Sequence, residues 1–370
     1  MGNHVKASLT LSPYLLWILL HCTQMRSTLI TFQNHIIKGA GTDSLFSLAA
    51  VGVSLHVIVV MMFFLLENSP DGDIMSLHSL LFGKWFGSLL TFVFYAYILL
   101  FIVNELRSYI EVVHVWVFPN TQMWSLSVLL LLFAAYIVSG GLRVITGISL
   151  LCVIIPTMII PSLTFPLMHA HWTNFLPLFN HNVYQFATSS YHSLSTFLGI
   201  EFLLLVYPFI KNQPKSKKWA HIAIAHSTLI ALTIACISLA YFNIQELEHT
   251  TWPTLILSKI IRFPILERFD YIYIFVWFFV VISACCVGIW GGIRILVRTV
   301  GLRARPSLWI TSGLVFMIML PMKSPMIIDK LDSLLNLSGW ILLYGYIPLL
   351  CIWMGLRKKL VKRQSVQTES

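Results

Sequence analysis

Ten stretches of this chain are long, apolar and almost free of charge: near residues 11–34, 44–66, 86–106, 123–140, 145–167, 190–210, 220–242, 270–296, 307–322 and 335–355. Each is close to the roughly 20 residues that a membrane-crossing helix needs. The runs are continuous rather than alternating, so they do not read as barrel strands. Charged residues make up 10% of the chain, against roughly 25% in an ordinary soluble domain. About 215 of the 370 residues are apolar, enough for roughly ten spans. The sequence therefore predicts an all-α polytopic membrane protein and excludes disordered, collagenous, coiled-coil and disulfide-stapled secreted classes. The expected organisation is a short N-terminus over 1–10, one transmembrane domain over 11–355 and a basic tail over 356–370.

The net charge of +10 would suggest nucleic acid in a soluble protein. Here sixteen of the 24 Lys and Arg fall in alternate connections, chiefly 211–218, 294–305 and 357–363. By the positive-inside rule this places both termini in the cytoplasm. The basic clusters then read as topology anchors that also meet anionic membrane lipids, and no nucleic-acid partner is expected. The opening segment reads as an uncleaved first span, because no small-residue cleavage site follows it. The six cysteines lie in apolar runs and form no C-x-x-C pair, so neither a metal nor a disulfide framework is expected.

Polar residues inside spans are costly and therefore informative. The first span contains His21-Cys22-Thr23-Gln24-Met25-Arg26-Ser27-Thr28, which a lipid-facing helix would not carry; it should be irregular or face a polar cavity. The sixth contains Gly199-Ile200-Glu201 with Pro208 downstream, a carboxylate beside a residue that frees the backbone. Interruptions five spans apart predict two inverted halves, about 11–167 and 190–355, with helices 1 and 6 discontinuous and a ligand site near the midplane. Half-helix N-termini in such a site would attract an anionic group.

The third span continues through Glu105, Arg107, Ser108, Glu111 and His114, which reads as a solvated helix extension with Arg107 and Glu111 as an i,i+4 pair. Two longer connections, 168–189 and 243–269, are expected on the outer side, the second as a helical element lying over the bundle. His169, His171, His181 and His192 gather in or beside the first of these loops but lack metal-ligand spacing. No catalytic or nucleotide motif occurs, so no enzyme activity and no cofactor are expected.

Several motifs recur in an order resembling one family: Lys38-Gly39-Ala40-Gly41-Thr42-Asp43, Phe82-Gly83-Lys84-Trp85, Asn174-Phe175-Leu176-Pro177-Leu178-Phe179, Gly199-Ile200-Glu201 with Tyr207-Pro208-Phe209, and Trp252-Pro253-Thr254-Leu255 followed by Phe263-Pro264-Ile265-Leu266-Glu267-Arg268-Phe269-Asp270. Across residues 10–355 the chain resembles the spore-germination permeases, the B subunits of nutrient germinant receptors. The resemblance implies a ten-span fold of the amino acid–polyamine–organocation (LeuT-like) type, with five-plus-five inverted repeats. It also implies residence in the spore inner membrane, a small nutrient germinant as ligand, and partners in an A-type membrane subunit and a C-type lipoprotein. The implied cavity residues are Thr23, Gln24, Arg26 and Thr28 in span one and Gly199, Ile200 and Glu201 in span six. Tyr97 and Ser283 are added by their place in the implied fold. An outer lid would include Pro264, Glu267, Arg268 and Asp270. Such folds usually break span one at a Gly-x-Gly-like site, but here Arg26-Ser27-Thr28 stands at that place. Arg26 then either holds a ligand carboxylate, pairs with Glu201 or fills the cavity. The competing functions are a proton-coupled amino-acid transporter, with Glu201 as proton carrier, and a non-binding scaffold subunit.

Overall fold

The computed structural model describes residues 10–261, 268–322 and 324–368, and most of them are helical. In chain order the helices are α1 (Leu15–Gln24), α2 (Phe32–Ala40), α3 (Ser44–Glu67), α4 (Ile74–Trp116), α5 (Met123–Ser139), α6 (Leu142–Ile159), α7 (Val183–Ser193), α8 (Leu203–Val206), α9 (Gln213–Tyr241), α10 (Ile244–His249), α11 (Pro253–Ile260), α12 (Phe269–Thr299), α13 (Ala304–Met319), α14 (Pro325–Trp340) and α15 (Ile347–Thr368). Each of the ten apolar runs is mostly helical, with breaks inside the first and sixth. Among the described residues six helices are long and apolar enough to cross a membrane, or seven when Val183–Phe197 and Ile200–Phe209, bent by 51°, count as one. The ten of the sequence reading are not reached on that measure, for physical reasons. The first run stops at Gln24, α5 and α13 are only 17 and 16 residues long, and Phe32–Glu67 counts once although the backbone leaves helical geometry at Lys38 and Gly39.

At the centre of the bundle stands α12, which packs on α4, α6, α13, α5 and α1. Small residues permit this closeness. A Cβ on Gly288 would come within 2.6 Å of Ile102 Cγ1 in α4, and one on Gly291 within 2.8 Å of Leu205 Cδ1 in α8. Around this core α9 packs on α1 and α3, while α7 packs on α2 and α3. The segment 168–189 is pinned by the Gly41-Thr42-Asp43 motif: Asp43 accepts from the Phe179 amide (2.9 Å) and pairs with His181 Nδ1 (2.8 Å). An Asn182–Gln185 capping box then starts α7.

One end of the bundle is closed by backbone and charge. The Leu11 amide donates to Phe209 O (2.7 Å), and the Lys211 amide returns to Leu11 O (2.8 Å), a single β-bridge that joins the approach to α1 with the end of the sixth span. Nearby, Arg298 at the end of α12 pairs with Asp71 and Asp73 in the α3–α4 connection.

The expected solvated extension of the third span is instead buried. Glu105 is 0% exposed, Arg107 2% and Glu111 7%. Arg107 does pair with Glu111 (2.7 Å), and its Nε also donates to Met322 O (3.0 Å) in the connection between α13 and α14, so the run is packed against protein rather than forming an exposed helix end. Of the helical element expected over Leu255–Phe269, the first part is present in α11, and residues 262–267 lie outside the described residues. Thr254 donates to Leu29 O (2.9 Å) and accepts from Gln33 Nε2 (2.6 Å), docking the element on the second half of the first span.

Candidate functional site

Helix 1 breaks where the polar octet predicted. After Gln24 the chain leaves helix at Met25 (ψ 67°) and runs extended through Arg26 (φ −88°, ψ −176°) before a 3-10 turn over Ser27–Ile30. Both φ values are negative, so this break needs no glycine, which explains how the chain dispenses with the usual one. Helix 6 breaks at Leu198-Gly199, and there glycine is required. Gly199 has φ +118°, and a Cβ on it would lie 2.2 Å from Thr23 O.

The two breaks are tied to each other. Thr23 Oγ1 donates to Gly199 O (3.0 Å), Gln24 Nε2 donates to Phe197 O (3.4 Å), and Gln24 Oε1 accepts from Ser227 of α9 (2.8 Å).

Each half-helix that begins after a break is capped by one of the chain's own carboxylates. The Ser27 amide and hydroxyl both donate to Glu105 (2.7 and 3.0 Å). The Gly199 amide donates to both oxygens of Glu201 (3.0 and 2.9 Å), which also accepts from the Tyr97 hydroxyl (2.6 Å). The positive ends expected to draw in a ligand anion are therefore already occupied by protein.

Arg26 fills the space between the breaks and α4. It is 0% exposed, donates to Ser195 O (2.7 Å) and Asn104 Oδ1 (3.3 Å), sits 5.1 Å over the Phe101 ring and lies 3.8 Å from Glu105. Its Nε has no partner. Among the described residues no ion pair joins Arg26 to Glu201; Glu105 is the counter-charge. Of the three arrangements open to Arg26, the pairing with Glu201 is not the one formed here.

Above Arg26 opens a vestibule of about 710 Å³. Its walls come from the second half of helix 1 (Thr28, Asn34, Lys38), α4 (Ser108, Glu111), the first half of helix 6 (Tyr191, Ser195), the loop before α11 (Thr251, Trp252) and α14 (Asp329, Asp332). Asp332 ties this wall to the breaks, because it accepts from Asn104 Nδ2 (2.9 Å) while Asn104 Oδ1 accepts from Arg26.

The residues expected from sequence are thus distributed unequally. Thr28 lines the vestibule. Thr23, Gln24, Arg26, Gly199, Ile200, Glu201 and Tyr97 lie buried below it and form the joint between the breaks. Ser283 is elsewhere, bonded to Ser149 Oγ (2.6 Å) between α12 and α6. Of the expected lid, Arg268 and Asp270 pair with each other (2.8 Å) and neither borders the vestibule, whereas Pro264 and Glu267 lie outside the described residues. Sequence reasoning missed Glu105, Asn104, Asp329 and Asp332. The signal for the first two was the spacing Phe101, Asn104, Glu105, Ser108, one helical face running into the span.

Comparison with known proteins places this architecture. The spore germination protein (spore permease) family profile matches residues 10–328. Spore germination protein GerQB of Bacillus cereus is 32% identical over 94% of this chain and 97% of its own length. Spore germination protein B2 of Bacillus subtilis (strain 168) is 26% identical over 71% of this chain and 72% of its own. Among solved structures, MhsT in complex with L-phenylalanine aligns with a TM-score of 0.64 at 12% identity, over 92% of this chain and 88% of that one. Mhp1, a nucleobase-cation-symport-1 family transporter, aligns with a TM-score of 0.64 at 11% identity, over 95% and 79%. These two likenesses concern the fold alone, which is the LeuT-like transporter fold with inverted halves and interrupted helices 1 and 6. With the profile match spanning most of its length, the chain belongs to the spore germination protein family of multi-pass membrane proteins.

Proposed function

We propose that the chain is the B subunit of a nutrient germinant receptor in the spore inner membrane. It senses a small, amino acid-like nutrient and passes a conformational change to an A-type membrane subunit and a C-type lipoprotein. The observation that carries this reading is the vestibule of about 710 Å³, which carries charged and polar side chains and lies next to the joint between the two interrupted helices. A ligand seated there touches the elements that move in folds of this kind, and a ligand shifts a conformational equilibrium only through such differential contact. The positive-inside rule turns the end bearing Arg298 and Lys211 to the cytoplasm and the vestibule to the outer side, where a nutrient arrives.

The test is a germinant screen on spores lacking this chain. Loss of the response to one nutrient, restored by the gene, supports the receptor. Unchanged responses to every nutrient reject it. The transporter fold favours a second reading, secondary uptake of an amino acid. Gradient-driven uptake into proteoliposomes holding this chain alone would establish that reading over a pure sensor.

A further inference from the structure

Two histidines stand where a bilayer has no water to offer them. His56 lies near the middle of α3, a helix of 24 residues. At a rise of about 1.5 Å per residue it is roughly 17 Å from either end, inside a hydrocarbon layer about 30 Å thick. His221 of α9 meets it, Nδ1 to Nδ1, at 2.8 Å, with the rings 19° from parallel. Close helix contact backs the pair, since a Cβ on Gly52 of α3 would lie 2.5 Å from Thr228 Oγ1 of α9. The bond constrains the tautomers. With both rings neutral, as hydrocarbon demands, one Nδ1 donates and the other accepts. The Nε2 of the first ring is then a bare acceptor, and the Nε2 of the second is an N–H donor. Both residues are partly exposed, and among the described residues neither Nε2 has a hydrogen-bond partner. The pair thus offers one acceptor and one donor to the outside of the bundle at mid-span, where unsatisfied polar groups are costly.

The surroundings suit a packed helix. Val53, Val57 and Val60 are exposed at i−3, i+1 and i+4 from His56, and Ala225 and Leu229 at i+4 and i+8 from His221. Small and β-branched side chains let a neighbouring helix come close with little rotamer freedom to lose. Toward the closed end the face is positive. Exposed Lys218 lies at i−3 from His221, and exposed Lys358 of α15 sits 5.4 Å over the Phe64 ring of α3.

We infer that the face formed by α3 and α9 docks a transmembrane helix of a different chain, one with an asparagine or glutamine at mid-span and acidic residues toward the closed end. A side-chain carboxamide satisfies both Nε2 atoms, its N–H donating to the bare nitrogen and its C=O accepting from the other. A second copy about a two-fold axis would instead set Lys218 and Lys358 against their own like charges. For the owner of the helix, the A-type membrane subunit, the inference rests on the receptor reading. The face also has a line to the breaks. Further along α9, Ser227 bonds Gln24 Oε1 (2.8 Å) and His21 Nδ1 (2.9 Å) at the end of the first half-helix.

The experiment photocross-links the whole receptor in sporulating cells. A benzophenone amino acid is placed at Leu229, or at exposed Met317 of α13 as the control. Immunoblots establish equal abundance, and mass spectrometry identifies each adduct. The expected result is an adduct from Leu229 to a transmembrane segment of the A-type subunit that carries Asn or Gln, at least ten-fold above the control. His56→Leu and His221→Leu should each lower that yield, and co-purification of the subunit with the tagged chain, at least three-fold. His221→Gln keeps a donor and an acceptor and should recover most of both. If a leucine variant is lost from the membrane, the Leu229 adduct on the unaltered pair decides. An A-type subunit that co-purifies but reaches Leu229 no better than Met317 overturns this face while leaving the receptor intact, and so does an adduct formed only with a second copy. If no A-type subunit co-purifies and deleting the chain alters no germinant response, the receptor reading fails. The face then stands only on a Leu229 adduct to an Asn- or Gln-bearing helix of another chain, and lipid adducts alone overturn it.

Discussion

Glu105 and Arg26 are the charges most deeply committed to the joint, and removing one of them gives a worked test. Both side chains are fully buried and 3.8 Å apart. At an effective dielectric of about 20 their attraction is about 4 kcal/mol, opposed by the desolvation of both groups. Glu105→Gln keeps the volume and an acceptor for the Ser27 amide, but it leaves the guanidinium without its counter-charge. Stranding one partner of a buried pair costs about 3–5 kcal/mol, and the retained hydrogen bond puts this change at the lower end, about 3 kcal/mol. That is roughly a hundred-fold in the folded population. Arg26→Met should cost a similar amount by stranding Glu105. The double variant removes both charges, so its loss should fall short of the sum by at least about 1.5 kcal/mol. Unfolding of the purified chain in mixed micelles, titrated with SDS, returns all three differences. Strictly additive losses would refute the pairing and leave Arg26 held by Ser195 O and Asn104 alone.

Three further outcomes follow from the same geometry. Gly199→Ala combines a left-handed φ with a 2.2 Å clash against backbone, so membrane abundance should collapse; a normal immunoblot would contradict the close approach of the breaks. Tyr97→Phe removes one hydrogen bond to a buried carboxylate and should cost about 1.5–3 kcal/mol in the same unfolding assay, with no effect expected if Glu201 is satisfied by Gly199 alone. Asp73→Asn weakens the Arg298 contact at the closed end by about 1 kcal/mol, roughly five-fold in the opening equilibrium. Thiol labelling of an Ile210→Cys reporter should rise accordingly, and unchanged labelling would show that the ion pair does not hold that end shut.

The broken helices were legible because a bilayer tolerates so few polar residues that Arg26 and Glu201 could not be hidden. The companion of Arg26 was not legible for a related reason. Glu105 stands where the third span meets a polar run, and Arg107 and Glu111 beside it suit an exposed helix end equally well. Only the packing of α13, α14 and their connection on that face, with Arg107 bonded to Met322 O in that connection, makes it interior. The acidic wall was lost to a boundary. The last apolar run begins near residue 335, but the helix starts at Pro325, so Asp329 and Asp332 fell in what read as a connection. Ser283 carried no local signal, since a lone hydroxyl in an apolar helix fits an interhelical bond as well as a cavity. Tyr97, chosen on the same grounds, does meet Glu201.

The β-bridge between Leu11 and Ile210 has a mechanical consequence. The polypeptide entering helix 1 and the polypeptide leaving helix 6 are stitched together at the closed end, and the same two elements are stitched again at Thr23 and Gly199. Two fastenings separated along a common axis remove the freedom of either strand to slide or swivel past the other. Below the breaks the two half-helices are thus coupled at both ends, and opening that end requires either severing the stitch or swinging both together.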